Sequence, residues 1–147
     1  MLKKIRNILN LLRVRQFYKN GLIFVGLFFS ESLLDFSLYP KLILGFILLC
    51  CASSINYIIN DIRDIEKDKR HPEKLKSRPL ASGEISIAFA ILIMLVLAGI
   101  IGFTLLFYIH NWNFAIMLLL IFVTGQVYNH IFKNYAFVDI LTLSLIY

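Results

Sequence analysis

Three aspartates, Asp61, Asp64 and Asp68, follow Asn60 at helical spacing. A helix turns about 100° per residue, so Asp61 and Asp64 lie about 60° apart, with Asp68 between them in azimuth. Asn60 flanks this face and Asn56 extends it one turn back into an apolar run. From Asp61 to Asp68 the face covers about 10 Å along the axis, too long for one ion to touch every carboxylate. It suits one or two magnesium ions bridged by diphosphate oxygens, because magnesium takes one or two carboxylates and fills its shell with phosphates and water. The competing reading is a solvated mixed-charge face in which Arg63, Lys67 and Lys69 neutralise the aspartates. Spacing alone leaves both readings open.

The elements that must position these residues belong to a membrane. The chain has 147 residues, 59% of them hydrophobic, with a mean hydropathy of +0.78. No ordinary soluble domain carries so much apolar surface. No Asp, Glu, Lys or Arg occurs from residue 85 to residue 132, room for two helices of roughly 20 residues joined by a polar turn at His110, Asn111, Trp112 and Asn113. A secretory signal is not expected, because Lys3, Lys4 and Arg6 lead into an amphipathic stretch without an apolar core and cleavage site. The adjacent Cys50 and Cys51 read as buried hydrophobes. The expected class is all-α, an integral membrane helical bundle.

Along the chain, residues 2–17 read as an amphipathic helix lying on the negative leaflet. Residues 21–29 begin a first span, soon interrupted by Ser30, Glu31 and Asp35. Spans follow at 42–59, 85–109 and 112–129, and a fifth apolar run begins at 138. That run has ten residues, about half of what a bilayer requires. A helix ending there would strand its last carbonyls in hydrocarbon, so a truncated chain is expected.

The charge of +6 is uneven: six basic residues precede Gly21 and seven lie between Asp61 and Gly83. A membrane surface suits so apolar a chain better than nucleic acid does, and no nucleic-acid partner is expected. Counting Lys and Arg near each span puts the N-terminus, the 61–83 loop and Lys133 on the cytoplasmic side of an inner or plasma membrane. The whole chain, residues 1–147, reads as a single membrane domain with residues 61–83 as its substrate-binding loop.

That loop continues as His71, Pro72, Lys74, Arg78, Pro79, Ala81 and Gly83. Together, Asn-Asp-x-x-Asp-x-x-x-Asp and His-Pro-x-Lys-x-x-x-Arg-Pro-x-Ala-x-Gly resemble the UbiA superfamily of membrane transferases. The run from Arg15 to Asn20 resembles the segment that opens the branch using phosphoribosyl diphosphate, with Phe17 where that branch often has Trp. Tyr128 to Lys133, with Asp139 after it, resembles a later Tyr…Lys segment. The similarity covers essentially the whole chain. Family members have about nine membrane helices and a second acidic motif in their C-terminal half, which has no counterpart here; four to five of those helices fit this length.

The resemblance implies a magnesium cofactor and a diphosphate donor held in a cytoplasm-facing cavity. Asn60, Asp61, Asp64 and Asp68 would be the first metal-diphosphate motif. Lys74, Arg78, Lys19, Lys133 and Tyr128 would be diphosphate-binding candidates, although Lys19 and Lys133 equally suit snorkelling anchors and Tyr128 an interfacial belt. No catalytic residue is assigned. The histidines show no metal-ligand spacing. The implied reaction moves phosphoribose from phosphoribosyl diphosphate to a polyprenyl phosphate such as decaprenyl phosphate. The alternatives are prenyl transfer from an allylic diphosphate to an aromatic or lipid acceptor, and a non-catalytic fragment. A homo-oligomer is compatible with the sequence, and the isolated 147 residues are expected to lack turnover.

Overall fold

The computed structural model of the protein describes residues 2–130. The expected run at 138–147, Lys133 and Asp139 lie outside the described residues. Helix α1 spans Leu2–Leu11, a 3₁₀ segment Val14–Phe24, α2 Val25–Phe29, α3 Tyr39–Arg63, α4 Ile65–Lys69, α5 Pro72–Ser77, α6 Ile87–Thr104 and α7 Trp112–His130. A π-helical turn, Leu105–Ile109, extends α6. The described residues are helical and contain no strand, so the chain folds as an all-α membrane bundle.

Among the described residues, three helices are long and apolar enough to cross a bilayer: α3, α6 with its π turn, and α7. Each has local reasons to start and stop where it does. Pro40, which lacks the N–H that a first turn leaves unpaired, sits in the first turn of α3. Ser86 caps α6 by accepting from the Phe89 N–H at 3.2 Å, an arrangement worth about 1 kcal/mol. At its far end α6 stops at His110, whose φ of 42° turns the backbone left-handed. Asn111 then opens α7, its side chain accepting from the Phe114 N–H at 3.2 Å. The polar turn expected at 110–113 is therefore present.

Helix α3 is the axis of the bundle. The 3₁₀ segment runs antiparallel to it: the Ser54 hydroxyl donates to the Leu12 carbonyl at 3.0 Å, the Asn20 amide meets the Cys50 sulfur at 3.3 Å, and Ile23 lies against Gly45. Helix α6 is also antiparallel. Ile58 packs in one cluster with Ala90, and Leu48 and Ala52 in another with Ile101 and Leu105. Helix α7 runs parallel to α3, since Phe114 approaches Gly45 and the Asn56 amide donates to the Phe122 carbonyl at 3.3 Å. One end of the bundle thus gathers α1, the end of α3, the start of α6 and the end of α7. The remaining sides of α6 and α7 expose Leu92, Leu95, Phe103, Met117 and Leu120, as lipid-facing surfaces do.

The N-terminal region departs from expectation. The amphipathic helix ends at Leu11 rather than near residue 17, because Arg13 adopts a left-handed conformation (φ 52°, ψ 44°) and the chain rewinds as 3₁₀. Leu11 is fully buried against Ile58 and Leu80, so α1 packs onto the bundle. The expected first span at 21–29 is not one continuous helix. It is the end of the 3₁₀ segment followed by the five residues of α2, after which Glu31 takes a positive φ of 55°. Three continuous spans, rather than four, therefore lie within the described residues.

Candidate functional site

At the gathered end, α3 closes at Arg63 and the chain passes through Asp64 (φ −91°, ψ 8°) into α4. The bonding hardly breaks: the Asp64 N–H donates to the Asn60 carbonyl at 2.9 Å and the Asp68 N–H to the Asp64 carbonyl at 2.8 Å. This near-continuous winding keeps Asp61 and Asp68 on one face. Both are 2% exposed, so they form no solvated face.

Three cations meet these two carboxylates. Arg13 donates to Asp61 Oδ1 at 2.6 Å, and the Arg78 guanidinium donates to the same oxygen. Arg78 also reaches Asp68 Oδ2 at 3.4 Å, while Lys74 donates to Asp68 Oδ1 at 2.6 Å. Arg78 is thereby the bridge between the two aspartates. Arg13 further stacks on Tyr57, 4.6 Å from the ring centroid, a favourable placement for a planar cation. The partners sit on separate elements: Arg13 just after α1, Asp61 near the end of α3, Asp68 in α4, Lys74 in α5 and Arg78 at its end.

The alternative neutralising set is used otherwise. Arg63 donates to Asn60 Oδ1 at 3.1 Å and to the Asn129 carbonyl at 2.8 Å, and its nearest approach to Asp64 is 3.8 Å. Lys69 pairs with Glu66 at 2.7 Å. Asn60 is buried and tied to Arg63. Asp64 stands beside Arg63, and Tyr128 precedes Asn129 at the adjoining end of α7. Lys19 lines a different feature, a mainly apolar cavity of about 700 Å³ between the 3₁₀ segment, α3 and α7. Asp61, Asp68, Lys74 and Arg78 are thus brought together; Lys19 lies on a separate wall, and Lys133 is outside the described residues.

Arg13 was not singled out from the sequence. It reads there as one of several basic residues on an amphipathic stretch, and its pairing spans 48 positions. Its left-handed backbone is the local sign of a special role, and that is visible only in the structure.

The donor set bears on a metal. Among the described residues, no three His, Cys, Asp or Glu side chains converge as a ready-made cation cage. Asp61 Oδ2 is buried with no hydrogen-bond partner among them, leaving one carboxylate oxygen available. Two carboxylates with a spare oxygen fit a magnesium ion completed by substrate phosphates. Three cations stand against two carboxyl groups here, which favours an incoming anion.

Comparison with known proteins identifies the family. The model of the UbiA prenyltransferase family matches residues 21–147. Uncharacterized protein y4nM of Sinorhizobium fredii is 33% identical over 144 residues, covering 97% of this chain and 27% of that protein. Decaprenyl-phosphate phosphoribosyltransferase of Mycolicibacterium smegmatis is 28% identical, covering 95% of this chain and 44% of its own length. Nodulation protein NoeC of Azorhizobium caulinodans is 36% identical over 93 residues, 61% of this chain and 29% of that protein. The chain spans less than half the length of each of these relatives. No solved structure matches. With a family match across 127 of its 147 positions (21 to 147) and an all-α bundle of the expected kind, the chain belongs to the UbiA prenyltransferase family.

Proposed function

We propose that this chain supplies the donor end of a membrane transferase that moves phosphoribose from phosphoribosyl diphosphate to a polyprenyl phosphate. The observation that carries the reading is the buried Asp61–Arg78–Asp68 bridge with Arg13 and Lys74 around it. The relatives named decaprenyl-phosphate phosphoribosyltransferase support the choice of donor and acceptor.

In this reading Asp61 and Asp68 would hold magnesium, with Asn60 and Asp64 completing the motif. Magnesium bound there would supply charge neutralisation for a diphosphate leaving group. Arg78 and Lys74 swing from the aspartates to the phosphate oxygens, their guanidinium and ammonium groups complementing the departing charge. Arg13 orients Asp61. Lys19, Tyr128 and Lys133 are further candidates for the same anion. The apolar cavity beside Lys19 accommodates part of a polyprenyl chain, lined by residues such as Leu27, Leu49 and Met117. The gathered end, with the N-terminus and residues 61–83, faces the cytoplasm, where the basic residues concentrate.

Prenyl transfer is the second reading, favoured by the same apolar cavity. The test is transfer in native membranes, which supply whatever the transferase needs beyond these 147 residues, with the wild-type chain or Asp61→Asn and added magnesium. Label should pass from phosphoribosyl diphosphate into polyprenyl phosphate only with the wild type. Label passing only from an allylic diphosphate would select the second reading, and undiminished transfer with Asp61→Asn would reject both.

A further inference from the structure

The acidic pair does not use most of the positive charge at its end of the bundle. Two adjoining concavities, about 250 and 510 Å³, lie between α1 with the segment after it and α5 with Arg78. They share Asn10, Arg15 and Ser77, and Arg6 and Lys76 line the larger one. Glu84 is the one acidic residue on their walls, and Lys3 holds it at 2.8 Å. Among the described residues, Arg15 and Lys76 take part in no hydrogen bond or ion pair. A concavity that collects unpaired cations beside amide and hydroxyl donors is an anion site in search of its anion.

Its position narrows the anion. Arg13 and Arg78 line the smaller concavity while also bonding to Asp61. The groove is therefore continuous with the acidic pair through two shared guanidinium groups. A ligand anchored at Asp61 and Asp68 by a diphosphate reaches the groove only if it carries a second anionic group on a short polar spacer. A prenyl tail finds no wall to suit it there, because polar side chains dominate the lining and the apolar cavity lies elsewhere, along α3 and α7.

We propose that the groove of Arg15, Lys76, Asn10 and Ser77 is a phosphomonoester subsite that takes the second phosphate of a phosphosugar diphosphate and so selects that donor over an allylic diphosphate. The donor role rests on the reading of Asp61 and Asp68 as the diphosphate site. The shared chemistry, a phosphate ester, also occurs in lipid headgroups, and the test separates the two sources.

The protein in phosphatidylcholine nanodiscs is titrated with ribose 5-phosphate without magnesium, and with inorganic diphosphate in its presence. The Arg15→Gln/Lys76→Gln variant is expected to weaken ribose 5-phosphate at least about tenfold, the scale of a lost charge-assisted hydrogen bond, with diphosphate affinity held within about twofold. Arg15→Lys in the Lys76 background should recover part of the loss. Unchanged ribose 5-phosphate binding, or an equal loss for both ligands, overturns the proposal. The titration is repeated at matched ionic strength in discs containing phosphatidylglycerol. Retained affinity supports a soluble phosphate ester, and abolished affinity makes the groove a headgroup site and overturns the donor role. Ribose 5-phosphate binding with no magnesium-dependent diphosphate binding in the wild type would instead reject the acidic-pair reading, and the donor role with it, while the groove stays a phosphate site.

Discussion

Asp61 is the residue on which the candidate site turns. It shares one carboxylate oxygen between Arg13 and Arg78 and leaves the other unpartnered among the described residues. Removing one member of a buried charged group leaves the rest uncompensated, which costs several kcal/mol when burial is complete. Arg78 keeps a fifth of its side chain exposed, so Arg78→Ala is expected to cost less, about 2 kcal/mol. Arg13→Gly should cost less again, since glycine relieves the left-handed backbone at φ 52°. Urea unfolding in detergent measures both, and the reverse order would contradict the bridging role of Arg78. Glu84 offers a pH handle. The hydrogen bond from Lys3 holds its carboxyl below the ordinary value of 4.5. A depressed folded value means that the tie between α1 and the start of α6 is fully present above about pH 4.5 and lost as pH falls through the folded value. Amide exchange in α1, corrected for intrinsic rates, should accelerate across that fall, and Glu84→Gln should abolish the dependence.

At the scale of elements, α3 and α7 are held in register by a polar contact inside the membrane region. Gln126 donates to Asn56 Oδ1 at 2.6 Å, and Asn56 donates in turn to the Phe122 carbonyl. A Cβ on Gly125 would lie 2.7 Å from Asn56 Nδ2, so the glycine leaves room for the Asn56 amide. Gly125→Ala should displace Asn56, losing about 1 kcal/mol for a hydrogen bond in this setting. The same substitution in an Asn56→Ala background should cost much less. Additive losses in that thermal double-mutant cycle would show that the clash is not with Asn56. Sequence pattern marks some of these elements and not others. Helices α6 and α7 announce themselves as uncharged apolar runs, and α3 as one ending in a helical acidic stripe. The segment at 14–29 does not, because it packs along Gly45, Cys50 and Ser53 of α3, and no local periodicity encodes that. Asn56 reads in sequence as part of the acidic face, whereas its side chain turns to α7.

For the molecule as a whole, the arrangement separates two environments along α3. One end collects Arg13, Asp61, Asp68, Lys74 and Arg78 with the basic groove beside them; the flank of the bundle holds an apolar cavity of about 700 Å³. A transferase joining a charged donor to a lipid acceptor needs both. The acidic motif and the Lys74–Arg78 segment were legible because their spacing survives along the chain. The neutralising role of Arg13 was not, since it brings together residues 48 positions apart. The proposed function depends on the buried aspartates holding a magnesium diphosphate. The most direct measurement of this is calorimetric titration of the protein in nanodiscs with inorganic diphosphate, with and without magnesium, for the wild type, Asp61→Asn and Asp68→Asn, each checked by its melting curve. Saturable binding that requires magnesium and weakens at least about tenfold in folded variants, as loss of a charged ligand predicts, is the expected result. Equal affinity without magnesium, or in both folded variants, would contradict it.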